Sequence, residues 1–388
     1  MATAQFFLTI ESHSLKVEAK IPFHKNEGLP QITLNKNAVV SRMTLNRHNH
    51  FQKLVHPDNN YFATYSLEDT EDGVIQITYT TPVVGWDNLI SEDIIAISLY
   101  SHAFPANLPE YITDSVCFFT EGFETYEIYD AYFDAVRGMY AKRTKKLFGE
   151  IVNIIGFPKG RIRIYQKDKI RVIYRDDCDC ESVFQSIDIG LQAFRYYNEI
   201  FPPRQEISEI DVVVLGNKDP GGAYNREHLI VLGEPVTSLP SKELQNMMMH
   251  QMFPHELAHI WFGKADPSTF EDWLNETGAE WSHLLFLLET GQDALFDSWI
   301  RMRYNTHRQR GEAIRPRDLH HPDTVHDSGV VLFHKIYEKY GKNAILKLLQ
   351  ILSRMEQQNT ESFLQNIEST YDKEIAAFIR RNLDEKIV

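Results

Sequence analysis

Between residues 15 and 21 apolar and polar side chains alternate, with Leu15, Val17, Ala19 and Ile21 set against Lys16, Glu18 and Lys20. The same period of two returns at Ile75, Ile77 and Tyr79 before Gly85. Successive residues of a strand face opposite ways, so the pattern predicts a half-buried antiparallel sheet over residues 1 to about 125. From 129 to 155 the period lengthens. Phe133, Val136, Tyr140, Leu147 and Ile151 fall on one side, and Lys142, Arg143, Lys145 and Lys146 largely on the other. That spacing predicts an amphipathic helix with a solvated basic face. Two short strands follow from Ile162, then a helix over 182–200, strands near 210–215 and 229–232, and almost continuous helix to the end. No internal repeat, low-complexity tract or long linker interrupts the chain. Sheet first and helices later predict an α+β layout: a mainly β domain over 1–175, containing the helical segment near 129–155, and a mainly helical domain over 176–388.

A length of 388 residues is enough for two or three domains with sizeable cores. The formal charge of -14 and a pI near 5.6 disfavour nucleic acid or an anionic membrane as partner and mildly favour cationic or neutral substrates. Cys117, Cys178 and Cys180 are too few for a disulfide framework, and the Cys-x-Cys pair is too close and too isolated for a zinc ribbon, so reduced thiols are expected. The first residues lack a basic segment followed by an apolar run, and no later stretch reaches the length of a membrane span. A cytoplasmic protein with neither nucleic-acid nor membrane partners is the expectation.

The chemistry is concentrated at His255-Glu256-Leu257-Ala258-His259 and at Trp273-Leu274-Asn275-Glu276. Two histidines four apart share one helix face, so both imidazoles can reach one tetrahedral metal while Glu256 faces its water. Solvated surface histidines are the bland alternative, but Leu257, Ala258, Ile260, Trp261 and Phe262 surround the pair with apolar bulk, and buried polar groups need partners. Pro254 predicts that the helix begins or kinks just before His255. A second helix, running from Glu276 to about Leu288 and stopping at Gly291, would bring Glu276 back as the third ligand. Glu280, one turn on, either accepts the remaining ring N–H of a ligating histidine or is a solvated carboxylate.

These residues resemble the aminopeptidase N family of gluzincin zinc metallopeptidases, whose signature is H-E-L-A-H, W-F-G and then W-L-N-E. Here the match is His255 to His259, Trp261-Phe262-Gly263, and Trp273 to Glu276, with sixteen residues between the second histidine and the glutamate, two fewer than in the family. The resemblance covers about residues 170 to 350 and implies a thermolysin-like catalytic domain, one zinc ion per chain held by His255, His259 and Glu276, and Glu256 as general base. Gly221-Gly222-Ala223-Tyr224-Asn225 resembles the family's G-x-M-E-N substrate strand, with Tyr224 where a glutamate captures the substrate's amino terminus. The alternative for Gly221 and Gly222 is a simple turn before a strand. His326 stands where the family has the tyrosine that stabilises the oxyanion; a surface histidine, with Tyr337 or Tyr340 in that role, is the other reading. A counterpart of the family's large C-terminal helical superdomain is not expected.

The resemblance therefore implies a zinc hydrolase acting on a peptide or amide substrate, with specificity atypical of an aminopeptidase; some relatives open epoxides instead. The competing class is a catalytically inactive scaffold of the same fold that keeps zinc for stability or peptide binding. Glu256 argues against it, because a structural site needs no base and closes its fourth position with another protein ligand.

Overall fold

The computed structural model describes residues 4–11, 14–25, 31–46, 51–55, 62–68, 71–83, 89–97, 103–105, 116–121, 126–129, 132–134, 139–144, 154–178, 180–201, 209–215, 223–226, 229–233, 241–318, 321–322 and 324–387. Two compact units divide the chain, one of residues 1–165 with 173–177 and the other of 166–172 with 178–388. Among the described residues no helix is long and apolar enough to cross a membrane.

The alternating residues of the first unit meet in register. Val17 stands opposite Tyr79, Ala19 opposite Ile77 and Ile21 opposite Ile75, where strands Ser14–Phe23 and Gly73–Pro82 pair antiparallel. Each of these side chains is buried, so one face of the ladder forms core and the lysines and glutamates between them face away. The two strands belong to a seven-stranded sheet, and sheets of three and four strands add Leu34, Tyr65, Ile95 and Ile154 to the same apolar cluster.

Among the described residues the helix expected near 129–155 is not formed. Strands Tyr132–Asp134, Met139–Thr144 and Ile154–Pro158 lie there instead, and 130–131, 135–138 and 145–153 fall outside the described residues. Met139–Thr144 pairs along Val116–Glu121, with Phe118 opposite Lys142 and Thr120 opposite Tyr140. The stretch is rich in aromatic residues and interrupted by Gly138, a composition that favours a strand once a partner strand offers a ladder. A partner distant in sequence outweighed the local period.

In the second unit strands Ile210–Val214, Leu229–Leu232 and Ala223–Arg226 lie side by side in that order, the last at the sheet edge. Helices α1 (Cys180–Ile200), α2 (Lys242–Ala258), α3 (Trp273–Glu289), α4 (Asp293–Arg310), α5 (Val325–Tyr340), α6 (Lys342–Arg354), α7 (Thr360–Thr370) and α8 (Lys373–Arg381) make up the rest. Ser241 opens α2, its hydroxyl accepting from the Leu244 amide at 3.1 Å. α2 does not begin at Pro254: it starts at Lys242 and contains the proline. Burial of Phe253, Leu257 and Ala258 on either side holds the helix, and the Pro254 carbonyl accepts from the buried Tyr197 hydroxyl at 3.2 Å. Packing against α1 thus overrides the local penalty of proline.

The loop from α2 to α3 is held from both sides. Asn275 accepts from the Ala265 amide at 3.0 Å and donates to the Ala265 carbonyl at 3.1 Å and to Asp272 at 2.8 Å. Gln358 accepts from the Lys264 amide at 2.9 Å and donates to the Trp261 carbonyl at 3.0 Å. The Trp273 indole donates to Thr360, whose amide and hydroxyl both bind Glu271. Two residues of W-L-N-E are therefore loop fasteners. Close helix contact needs two small residues: a Cβ on Gly278 would stand 2.5 Å from the Phe262 ring, and one on Gly329 1.8 Å from the Thr277 hydroxyl.

Candidate metal centre

His255 lies in the last turn of α2 and His259 caps it, so the four-residue spacing puts both rings on one face, with their Nε2 atoms 3.2 Å apart. Glu276, in the first turn of α3, completes the group: Oε2 is 3.4 Å from His255 Nε2 and Oε1 is 3.7 Å from His259 Nε2. Among the described residues these three are a group whose donor atoms all lie within 4.8 Å of one another.

The hydrogen bonds behind the rings decide what faces inward. His259 Nδ1 lies 2.8 Å from the Phe262 carbonyl, which can only accept, so Nδ1 carries the proton and Nε2 presents a lone pair. His255 Nδ1 faces a Glu280 oxygen at 3.7 Å, which favours the same tautomer. Two bare nitrogens and a carboxylate thus converge, an arrangement that repels itself unless a cation lies among them. Bonds of about 2.0–2.2 Å to a tetrahedral zinc would separate its ligands by about 3.4 Å, within the range of the spacings seen here. The donor set fits zinc.

Burial opposes ionisation of Glu276, but the charge of His326 and the hydrogen bond from its Nδ1 hold the carboxyl well below the usual range. His326, in the first turn of α5 and half exposed, places Nδ1 2.7 Å from Glu276 Oε2. Desolvation lowers its pKa, and the Glu276 carboxylate more than reverses that, raising it to about 9. Tyr337 and Tyr340 are poorly placed for the same work. Eleven residues along one helix from His326 is about 16 Å, and Tyr337 is packed among Trp281, Phe296 and His334.

The remaining expected residues divide. Glu256 is buried on α2, and its carbonyl accepts from the Asn225 side chain at 2.9 Å, which ties the edge strand to the metal helix. Ala223 and Tyr224 lie on that strand, Tyr224 buried and opposite Val231. Gly221 and Gly222 fall outside the described residues. Glu280 is not a solvated carboxylate: it is 1 % exposed, lies between His255 and His283, and is bound by Arg303. Burial resists its ionisation, and Arg303 with its histidine neighbours pulls its pKa far below the usual range.

Sequence reading missed Arg303, Asp327 and His283. The spacing of Glu276, Glu280 and His283 along one face of α3 was a usable signal for the last of these. Nothing local marks Arg303.

No family model matches the chain, and no curated protein matches it. Solved structures do. A two-domain M1 zinc metallopeptidase bound to L-arginine is 15% identical with a TM-score of 0.62, the match covering 99% of this chain and 94% of that one. An M1 zinc metallopeptidase from Deinococcus radiodurans gives 14% identity and a TM-score of 0.63 over 100% of this chain and 94% of that one. Leukotriene A4 hydrolase from Saccharomyces cerevisiae gives 12% and 0.66, over 100% and 68%. At such identities the likeness is one of fold, with a β-rich N-terminal part and a helical C-terminal part as in M1 zinc metallopeptidases.

Proposed function

We propose that this chain is a zinc-dependent hydrolase that cleaves peptide or amide bonds, with His255, His259 and Glu276 as ligands of one zinc ion and Glu256 as general base. The observation that carries the reading is the convergence of three metal-ligating side chains at 3.2–3.7 Å, with His259 Nδ1 held by the Phe262 carbonyl and Glu280 standing behind His255. When bound, zinc supplies Lewis acidity that makes a water acidic enough to deprotonate near neutral pH and polarises the scissile carbonyl.

The chain's own residues do the rest. Glu256 takes the proton of the attacking water as oxygen bonds to the carbonyl carbon, then returns it to the leaving amine as the C–N bond breaks. His326, set beside Glu276, donates a hydrogen bond to the developing oxyanion. The edge strand Ala223–Arg226, with Gly221 and Gly222 before it, offers backbone groups to an extended substrate. Tyr224, a neutral phenol where related enzymes use a carboxylate, favours substrates whose amino terminus is not read as a charge.

Metal analysis of purified protein and turnover by Glu256→Gln test this together. One zinc per chain and a variant that keeps zinc but loses hydrolysis are expected. Absence of a transition metal, with no rise in melting temperature on adding zinc, refutes the site; retained hydrolysis in the variant removes Glu256 from the mechanism.

A further inference from the structure

We propose that Arg303, on α4, is a positioning residue for the metal centre: it holds the Glu280 carboxylate in place behind His255, and ties it through Asp327 to the first turn of the helix that carries His326. The inference rests on the reading of His255, His259 and Glu276 as zinc ligands.

Glu280 has almost no contact with water, and a carboxylate so buried needs partners for its oxygens. Its neighbours are few. Oε1 is bound by Arg303 Nη2, is 3.4 Å from Gln251 Nε2 and stands 3.7 Å from His255 Nδ1; Oε2 is 3.4 Å from His283 Nδ1. Gln251 is neutral, and burial pushes His283 below the usual imidazole range. Among these contacts Arg303 alone carries a permanent charge.

The same guanidinium reaches further. Nη1 donates to Asp327 Oδ1 at 3.2 Å, and Asp327 directly follows His326 in the first turn of α5. The guanidinium carbon also lies 5.2 Å from the centre of the Trp299 ring, one turn back on α4, which helps fix the fork. One planar side chain thus joins the carboxylate behind a metal ligand to the helix bearing the proposed oxyanion donor. A lysine can supply the charge but not both bonds in a fixed geometry. Carboxylates behind a ligating histidine set its tautomer and raise its basicity, so what holds Glu280 acts on metal affinity at one remove.

Zinc affinity of the apoprotein, measured by competition with a chromogenic chelator, tests the proposal without reading activity. Glu280→Gln and Arg303→Gln are each expected to weaken binding by about 10- to 100-fold. If Arg303 acts through Glu280, adding Arg303→Gln to Glu280→Gln changes affinity by no more than about threefold, and Arg303→Lys, which keeps the charge but not the fork, recovers only part of what Arg303→Gln loses. A residue that merely fills space would give independent, additive losses, which overturns the proposal, as does unchanged affinity in Arg303→Gln. Should Arg303→Gln alone fail to fold, Glu280→Gln against the double variant is decisive: equal affinity supports the proposal, and a further fall of about tenfold or more refutes it. Failure of the wild-type protein to take up zinc would overturn the metal site as well; zinc uptake with an additive cycle overturns only the role of Arg303.

Discussion

Replacing Asn275 by leucine tests the claim that W-L-N-E fixes its loop through hydrogen bonds and not through shape. Asn275 is 4 % exposed, and its amide satisfies both backbone groups of Ala265, itself buried, besides reaching Asp272. Leucine has a similar branched outline but no polar atom, so the Ala265 N–H and C=O would both lose this partner inside the protein. Each orphaned buried group costs about 1–3 kcal/mol, giving about 2–6 kcal/mol for the two. Asp272 keeps His321 at 3.1 Å, so no charge is stranded. Urea unfolding followed by circular dichroism, with chelator present so that metal linkage does not contribute, should show a lower midpoint at unchanged slope. Because Glu276 is the next residue, zinc affinity should fall as well. A loss of less than about 1 kcal/mol would mean that water or a shifted loop serves Ala265 equally well, and would refute the argument.

Gly329→Ala should destabilise by about 1–3 kcal/mol, since its methyl would meet the Thr277 hydroxyl and something must shift; a neutral effect in the same unfolding assay would show that the α3–α5 contact is slack. Burial lowers the pKa of His307, whose Nε2–H donates to the Ile387 carbonyl and whose Nδ1 faces Ser328. A depressed folded-state pKa means its contribution is complete above about 6.5 and is lost as pH falls through the folded value. His307→Gln should therefore flatten the wild-type decline in urea midpoint between about pH 6.5 and 5; parallel curves would exclude His307 as the source. His326→Phe is expected to lower kcat by about 10²- to 10³-fold with little change in KM, and an unaffected rate would remove it from oxyanion stabilisation. With Tyr224 in place of a carboxylate, acetylating a peptide's amino terminus should slow cleavage little; a loss of about a hundredfold or more would show that some acid reads the ammonium group.

Alternation alone marked Leu15 to Ile21 and Ile75 to Tyr79 as strands with one buried face, because side-chain direction in a strand is a local property of the backbone; that the two strands pair was decided by the tertiary structure. The histidine pair and Glu276 were legible for a similar reason: helix spacing puts His255 and His259 on one side, and the short chain between them and Glu276 can only close as a hairpin. Where a distant partner decided, local pattern failed. Residues 139–144 became a strand because 116–121 supplied hydrogen bonds that a helix would have made within itself. Pro254 stayed inside α2 because packing on both sides outweighed a lost backbone bond. Arg303 had no local mark at all. Its role exists only where four helices bring His255, Glu280, Asp327 and the guanidinium together, and the charge of a buried carboxylate depends on what surrounds it in space, which no spacing along the chain records.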